Sequence, residues 1–156
     1  MRQWWSKVWM KLRGDMRPAA DTAPAADESR GAWGENTAAD YLKRRGWKIE
    51  AVRCRVDRRN ELDIVAWDGD TLVFVEVKTR RSERFGRPVE SVHRAKRFHL
   101  SRAAVRYLSR RRAQPRYFRF DVMEVVGEPG DYRLEHIRNA FPLSAPYRPP
   151  PLLARD

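Results

Sequence analysis

Residues 72–78, which read Leu-Val-Phe-Val-Glu-Val-Lys, constrain the fold of this chain more than any other segment. Their β-branched and aromatic side chains predict a buried strand. Residues i and i+2 of a strand face the same side, so Glu76 and Lys78 are expected side by side at one end of a sheet. An unpaired charge in such a strand costs several kcal/mol. Two interpretations follow: a functional site, or an ion pair at a strand end.

A second apolar strand precedes this one and carries another acid. Residues 62–67 read Leu-Asp-Ile-Val-Ala-Trp, and Asp68-Gly69-Asp70 between the two strands is typical of a hairpin turn. Pairing across that turn would bring Asp63 close to Glu76 and Lys78. The alternative is that Asp63 belongs to a turn.

Two carboxylates and a lysine in one place suit metal-assisted phosphodiester hydrolysis. Mg²⁺ is a hard cation that prefers oxygen ligands, so Asp63 and Glu76 are expected to hold it. Lys78 would orient or deprotonate the attacking water, or neutralise charge on the phosphate.

A third acid, Glu35, lies in the first turn of the first expected helix. It shares a side with Ala38 and Leu42, and joins the acidic cluster if that helix packs beside the hairpin. The alternative is an acid that only favours the helix dipole. Glu61 has the same strand parity as Asp63, which directs it toward the cluster or its rim.

The positive charge of the chain is concentrated in one segment. The formal net charge is +12, and residues 79–119 hold fourteen Arg or Lys but only two Glu. Arginine matches phosphate bidentately, so this segment predicts a nucleic-acid partner, most simply DNA; a solvated helix face is the alternative. The expected contact residues are Arg80, Arg81, Arg84, Arg87, Arg94, Lys96, Arg97 and Arg102. Lys96 lies close to the apolar stripe of its helix, so it either follows that stripe to solvent or points at the site.

Cysteine content and hydropathy limit the compartment. Cys54 is the only cysteine, which excludes an intramolecular disulfide and a Cys-rich zinc site. No apolar run approaches the ~20 residues of a membrane span, and no signal peptide is evident. We expect a cytoplasmic protein.

Four segments are expected along the chain. Residues 1–13 predict a basic, Trp-rich amphipathic helix that lies on an anionic membrane surface, docks on a partner, or folds back on its own domain. Residues 14–30, rich in Ala, Asp and Pro, predict a disordered linker. Residues 31–142 predict a nuclease-like α/β domain, and residues 143–156 a proline-rich tail.

Hydrophobic periodicity within residues 31–142 predicts seven elements. They are a helix over 33–45, strands over 47–55, 61–67 and 71–79, a helix from Pro88 to about 111, and strands over 117–126 and 132–137. The order is helix, three strands, helix, two strands. That order predicts an α/β domain with a mixed sheet flanked by helices.

Several of these motifs together resemble the bacterial YraN family. They are Gly34-Glu35-Asn36-Thr37-Ala38-Ala39, Asn60-Glu61-Leu62-Asp63-Ile64-Val65-Ala66, Phe74-Val75-Glu76-Val77-Lys78-Thr79-Arg80, Phe85-Gly86-Arg87-Pro88, Lys96 and Arg119-Phe120-Asp121-Val122. That family is similar in pattern to the archaeal Holliday-junction resolvases, in the PD-(D/E)XK nuclease superfamily. The resemblance implies a restriction-endonuclease-like fold, a Mg²⁺ or Mn²⁺ cofactor, and a homodimer that cuts two strands. By resemblance, Glu35, Asp63, Glu76 and Lys78 correspond to the catalytic acids and lysine.

Three functions of different classes therefore remain. The first is a metal-dependent endonuclease that acts on DNA, including branched DNA, through structure rather than base sequence. The second is a non-catalytic nucleic-acid-binding module on a nuclease scaffold. The third is an adaptor that the tryptophan helix tethers to a partner or a membrane.

Overall fold

The computed structural model describes residues 30–82 and 93–147. The tryptophan helix predicted for residues 1–13 and nearly all of the linker predicted for 14–30 lie outside this part. So does the predicted start of the second helix at Pro88, and most of the proline-rich tail. None of the helices in the described part is long and apolar enough to cross a membrane.

Two helices and five strands form the described part of the chain. They are α1 (Arg30–Arg44), β1 (Lys48–Arg55), β2 (Glu61–Asp68), β3 (Thr71–Arg80), α2 (Arg94–Ser109), β4 (Tyr117–Glu128) and β5 (Asp131–Phe141). The predicted order of helix, three strands, helix and two strands is confirmed. The last strand is longer than the predicted 132–137.

The five strands form one mixed sheet in the order β1-β2-β3-β4-β5. β1, β2 and β3 are joined antiparallel, β3 and β4 are parallel, and β4 and β5 are antiparallel. Parallel neighbours need a crossover connection, which here contains α2. β3 is therefore the central strand, with β2 on one side and β4 on the other.

Both faces of β3 are covered, which is why its sequence is an almost continuous apolar run. Phe74 packs on the α2 face with Leu100 and Leu108. Val73 packs on the opposite face with Ala38 of α1. Residues 72–77 are all buried. The sheet thus lies between α1 and α2. A charged side chain near the end of β3 must therefore pair with an opposite charge or face an opening at the edge of the sheet.

Candidate functional site

The antiparallel ladder between β2 and β3 ends just before the acidic residues. Its last pair joins Ile64 to Val75, and the next positions along the two strands are Asp63 and Glu76. The Asp63 side chain then takes the place of the β2 backbone, because its Oδ2 accepts a hydrogen bond from Val77 N at 2.8 Å. The hairpin thus brings Asp63 and Glu76 together, as the alternation of the two strands predicts.

Glu76 is a buried carboxylate with two ammonium partners. Its side chain is 3 % exposed, and its Oε1 accepts from Lys78 Nζ at 2.7 Å and lies 3.0 Å from Lys96 Nζ. Its Oε2 is buried and has no hydrogen-bond partner among the described residues. An unsatisfied buried oxygen of an ionised carboxylate is costly, and a bound cation or water would satisfy it. Lys96, expected on the nucleic-acid surface or pointing at the site, reaches the acid itself.

Asp63 holds its proton far more tightly than an ordinary aspartate. Burial is the largest cause, and repulsion from Glu76 adds to it. The hydrogen bond from Val77 N and the charge of Lys96 oppose the rise, and the pKa of Asp63 reaches about 7. A divalent cation between two such carboxylates would remove the cause of their repulsion.

Helix α1 approaches β3 closely at a glycine. A Cβ atom at Gly34 would lie 1.9 Å from Thr79 Oγ1, so only glycine allows this contact. The next residue, Glu35, lies at the rim of the same cleft as Asp63. Its predicted place in the first turn of the helix is wrong, because α1 begins earlier than predicted and Glu35 falls in its second turn. Burial raises the pKa of Glu35, while the hydrogen bond and charge of Arg53 oppose that rise. The carboxylate of Glu35 is held at 3.1 Å by Arg53 Nη1.

Arg53 reaches α1 because strand β1 is irregular. The register with β2 shifts between Ile49 and Ala51, and Arg53 itself has φ +51, a conformation that costs a non-glycine residue energy. The strand predicted over 47–55 is present, but the register shift breaks its regular alternation beyond Ile49. The Arg53 guanidinium also bonds Ala32 O at 3.4 Å and Asn36 Oδ1 at 3.2 Å, and so ties β1 to the first turns of α1.

An open cleft of about 500 Å³ adjoins this cluster, although Glu76 and Lys78 themselves are not among its lining residues. It is lined by Glu35, Arg59, Asn60, Glu61, Asp63, Lys96, His99 and Leu100. Within residues 30–82 and 93–147, no three His, Cys, Asp or Glu side chains stand close enough to hold one metal ion together. Glu35 is turned to Arg53, which leaves Asp63 and the free oxygen of Glu76 as the oxygen donors that best fit a divalent cation.

The arginines after β3 differ in their accessibility. Arg80 Nε lies 3.1 Å from Glu124 Oε1 on β4, and the Arg80 side chain is 22 % exposed. Arg81 follows β3 and is exposed. Arg84 and Arg87 lie outside the described residues. Of this group, Arg81 is the described residue most accessible to a ligand.

Helix α2 carries the other predicted nucleic-acid contacts. Arg94 is its first residue and is exposed, whereas Arg102 is half-buried. Arg97 lies over the ring of Phe141 at 5.6 Å. Of the predicted contacts on α2, Lys96 is the one that lines this cleft.

One motif of the resemblance lies elsewhere. Asp121 of β4 is completely buried and is bound by Arg119 Nε at 2.9 Å, His136 Nε2 at 2.9 Å and Asn139 N at 2.8 Å. Burial raises the pKa of Asp121, but the bonds from His136 and Arg119 outweigh it and leave the pKa below its ordinary value. This network joins β4 to β5, and none of its members lines the cleft.

Comparison with known proteins assigns the family. The family model described as "Uncharacterised protein family UPF0102" matches residues 34–125, which include most of α1, the hairpin and most of β4. A UPF0102 protein of Syntrophomonas wolfei is 46 % identical over 114 residues, covering 71 % of this chain and 96 % of that protein. One of Symbiobacterium thermophilum is 47 % identical over 112 residues, covering 71 % and 94 %.

A third relative, from Syntrophus aciditrophicus, is 42 % identical over 116 residues and covers 73 % of this chain and 89 % of its own. The family match thus contains Glu35, Asp63, Glu76 and Lys78, and the relatives align over most of their own length. This chain belongs to the uncharacterised protein family UPF0102, the YraN family that its motifs resemble.

Proposed function

We propose that this protein is a metal-dependent endonuclease of the PD-(D/E)XK superfamily that hydrolyses phosphodiester bonds in DNA. One observation carries the proposal. Asp63 and Glu76 meet at the end of the hairpin with repelling carboxylates, one raised pKa and one buried oxygen without a partner among the described residues. Buried carboxylates with perturbed pKa values concentrate at sites that bind a cation or carry out a reaction.

Mg²⁺ or Mn²⁺ fits the oxygen donors of this site. Asp63 and Glu76 would hold it, and Glu35 would join them once released from Arg53. When bound, the cation supplies a Lewis acid for the phosphate oxygen and lowers the pKa of water. Two ammonium groups, those of Lys78 and Lys96, already pair with Glu76, so positive charge is stabilised at this point.

Lys78 is suited to the reacting centre. Its Nζ is held 2.7 Å from Glu76, and its side chain is 28 % exposed. In the ammonium form it can donate a hydrogen bond to the attacking water and neutralise charge on the phosphate. In the reaction, the water oxygen bonds to phosphorus and loses a proton to solvent, the bond to the leaving sugar oxygen breaks, and that oxygen takes up a proton from solvent. Because a phosphate contact carries no base information, selection by DNA shape fits this site better than sequence specificity.

A second candidate is a nucleic-acid-binding module that does not cut. It is favoured by the ion pairs that already satisfy Glu35 and one oxygen of Glu76. In that case Lys78 and Lys96 would be permanent substitutes for a metal ion.

Cleavage assays separate the two candidates. Wild type and Glu76→Gln would be incubated with branched, flapped, single-stranded and duplex DNA, and with RNA, in Mg²⁺, Mn²⁺ or EDTA. We expect metal-dependent cleavage by wild type and a loss of about 100-fold or more in Glu76→Gln. Glu128→Gln, an exposed acid on β4 whose carboxylate pairs with Arg30, is the matched control and should cut as wild type does.

Two outcomes would contradict the endonuclease proposal. Equal cleavage by wild type and Glu76→Gln would assign the activity to a contaminant. Binding without cleavage of any substrate would favour the non-catalytic module.

A further inference from the structure

The loop between β1 and β2 is built around one carboxylate. Asp57 Oδ1 accepts from Arg59 N at 2.8 Å and from Asn60 Nδ2 at 2.7 Å, and Arg106 of α2 pairs with Asp57 Oδ2. The backbone closes the loop with a bond of 2.9 Å from Val56 N to Asn60 O. These bonds, led by that from Arg59 N, lower the pKa of Asp57 to about 2. A loop held by this many bonds keeps its shape before any ligand arrives.

The tip of this loop presents two exposed arginines. Arg58 and Arg59 are exposed, and neither guanidinium makes a hydrogen bond or ion pair with another described residue. Nearby arginines behave differently, since Arg106 pairs with Asp57 and Arg111 with Glu50. Two adjacent unpaired guanidinium groups on a preformed turn suit an anion with several oxygens.

The same loop forms a wall of the acidic cleft. Arg59 and Asn60 line it together with Asp63, while Lys96 and His99 line it from α2. Asn60 is 5 % exposed and its Nδ2 donates to Asp57, so Asn60 fixes this wall while Arg59 supplies its cation.

We propose that Arg58 and Arg59 form a second phosphate-binding site, which grips a nucleic-acid strand on a wall of the cleft separate from α2. The inference rests on the proposed function for the identity of the ligand. The cleft is lined by three acids, Glu35, Glu61 and Asp63. They repel a phosphodiester when they are ionised, so cations on more than one wall favour the binding of a strand there. Contacts from two elements also set the position of the backbone along the cleft, which Lys96 of α2 cannot do alone.

Nucleic-acid binding in EDTA, measured over a range of salt concentrations, tests the site without cleavage. The variant is Arg58→Ala with Arg59→Ala. The matched control is Arg44→Ala with Arg112→Ala, which removes the same charge from exposed arginines near the ends of α1 and α2. The slope of log affinity against log salt should fall by about 0.9 for each phosphate of duplex DNA that the variant no longer binds. The control should keep the wild-type slope.

A third variant separates a preformed site from general attraction. Asp57→Ala removes a negative charge, so general attraction alone predicts tighter binding. A preformed site predicts binding that is roughly tenfold weaker, because the loosened loop that carries Arg58 and Arg59 must then be ordered by the ligand. Far-ultraviolet circular dichroism checks that each variant is folded.

The outcomes separate this inference from the proposed hydrolysis. Equal binding by the two double variants, tighter binding by Asp57→Ala, or no nucleic-acid binding by wild type would each overturn it. If wild type binds without cutting and the Arg58, Arg59 variant loses the binding, the inference stands and the hydrolysis fails. If wild type cuts and that variant binds and cuts like its control, the reverse holds.

Discussion

At the scale of single residues, the negative charges of Glu76 and Asp63 are compensated to different degrees. Glu76 is 3 % exposed and keeps two ammonium groups on one oxygen, so its charge is compensated. Asp63 receives a backbone N–H at 2.8 Å but remains close to the charge of Glu76. The ionised form of Asp63 is therefore the strained state of this pair, and protonation relieves it.

The raised pKa of Asp63 makes stability depend on pH. The folded state binds the proton with a pKa of about 7, whereas the ordinary pKa of an aspartate is 3.8. Below about pH 4, Asp63 is protonated in both the folded and the unfolded state and does not change the free energy of unfolding. Between about pH 4 and 7 the folded state loses stability as pH rises, because Asp63 ionises more readily in the unfolded state. Above about pH 7 this loss is constant. Each pKa unit corresponds to about 1.36 kcal/mol, so the cost is on the order of a few kcal/mol.

Asp63→Asn removes this cost. In the absence of metal, we expect the variant to be more stable than wild type at pH 8 and close to it at pH 4, by urea unfolding at each pH. Asp70→Asn, in the exposed β2–β3 turn, is the control and should follow the wild-type curve. A constant difference between Asp63→Asn and wild type at all pH values would refute the raised pKa.

At the scale of elements, the position of α1 decides whether Glu35 reaches the cleft. Gly34 lets the helix approach Thr79 on β3, and Arg53 on β1 holds the Glu35 carboxylate at 3.1 Å. Helix α2 contributes Lys96 in the same way from the other face of the sheet. The site is thus assembled where both helices begin.

Gly34→Ala should push α1 away from the sheet. Alanine favours a helix interior by about 0.5–1 kcal/mol, but a Cβ atom 1.9 Å from Thr79 Oγ1 must displace the helix or the threonine. We expect a net loss of about 1–3 kcal/mol in the free energy of unfolding. Thr79→Ala should restore part of it in the double variant, because it removes the closest atom. Wild-type stability for Gly34→Ala would contradict the close packing.

At the scale of the whole molecule, the cleft lies where β3 stops pairing with β2 but continues to pair with β4. β3 continues to pair with β4 as far as Arg80 and Val126, while its pairing with β2 ends at Val75. The last residues of β3 therefore pair with β4 on one edge and are not paired with β2 on the other, open edge. A cation entering this opening would bind the folded chain and not the unfolded one.

Divalent metal should consequently stabilise the fold. At a metal concentration 100-fold above Kd the gain is about 2.7 kcal/mol. For a chain of this size that raises Tm by roughly 5–10 °C. Differential scanning calorimetry with Mg²⁺ or Mn²⁺ should show the shift in wild type and in Glu128→Gln but not in Glu76→Gln. An equal shift in all three would mean that the metal binds elsewhere.

Local patterns along the chain were enough to predict the order of the elements and the meeting of Asp63 and Glu76 with Lys78. These residues lie on one hairpin, where the period of two and a short turn decide which side chains meet. The fold class follows from the same local patterns.

Which basic residues pair with Glu76 and Glu35 depends instead on how elements that are distant in the chain pack together. The contact of Lys96 with Glu76 requires α2 to lie on the sheet as it does, and that of Arg53 with Glu35 requires a bulge that breaks the alternation of β1. Arg59, which no sequence pattern indicated, reaches the cleft because Asp57 folds its loop. Such contacts join residues far apart in the chain, so no local sequence period predicts them. The contacts within a hairpin can be predicted, because its short turn and the alternation of its strands determine which side chains meet.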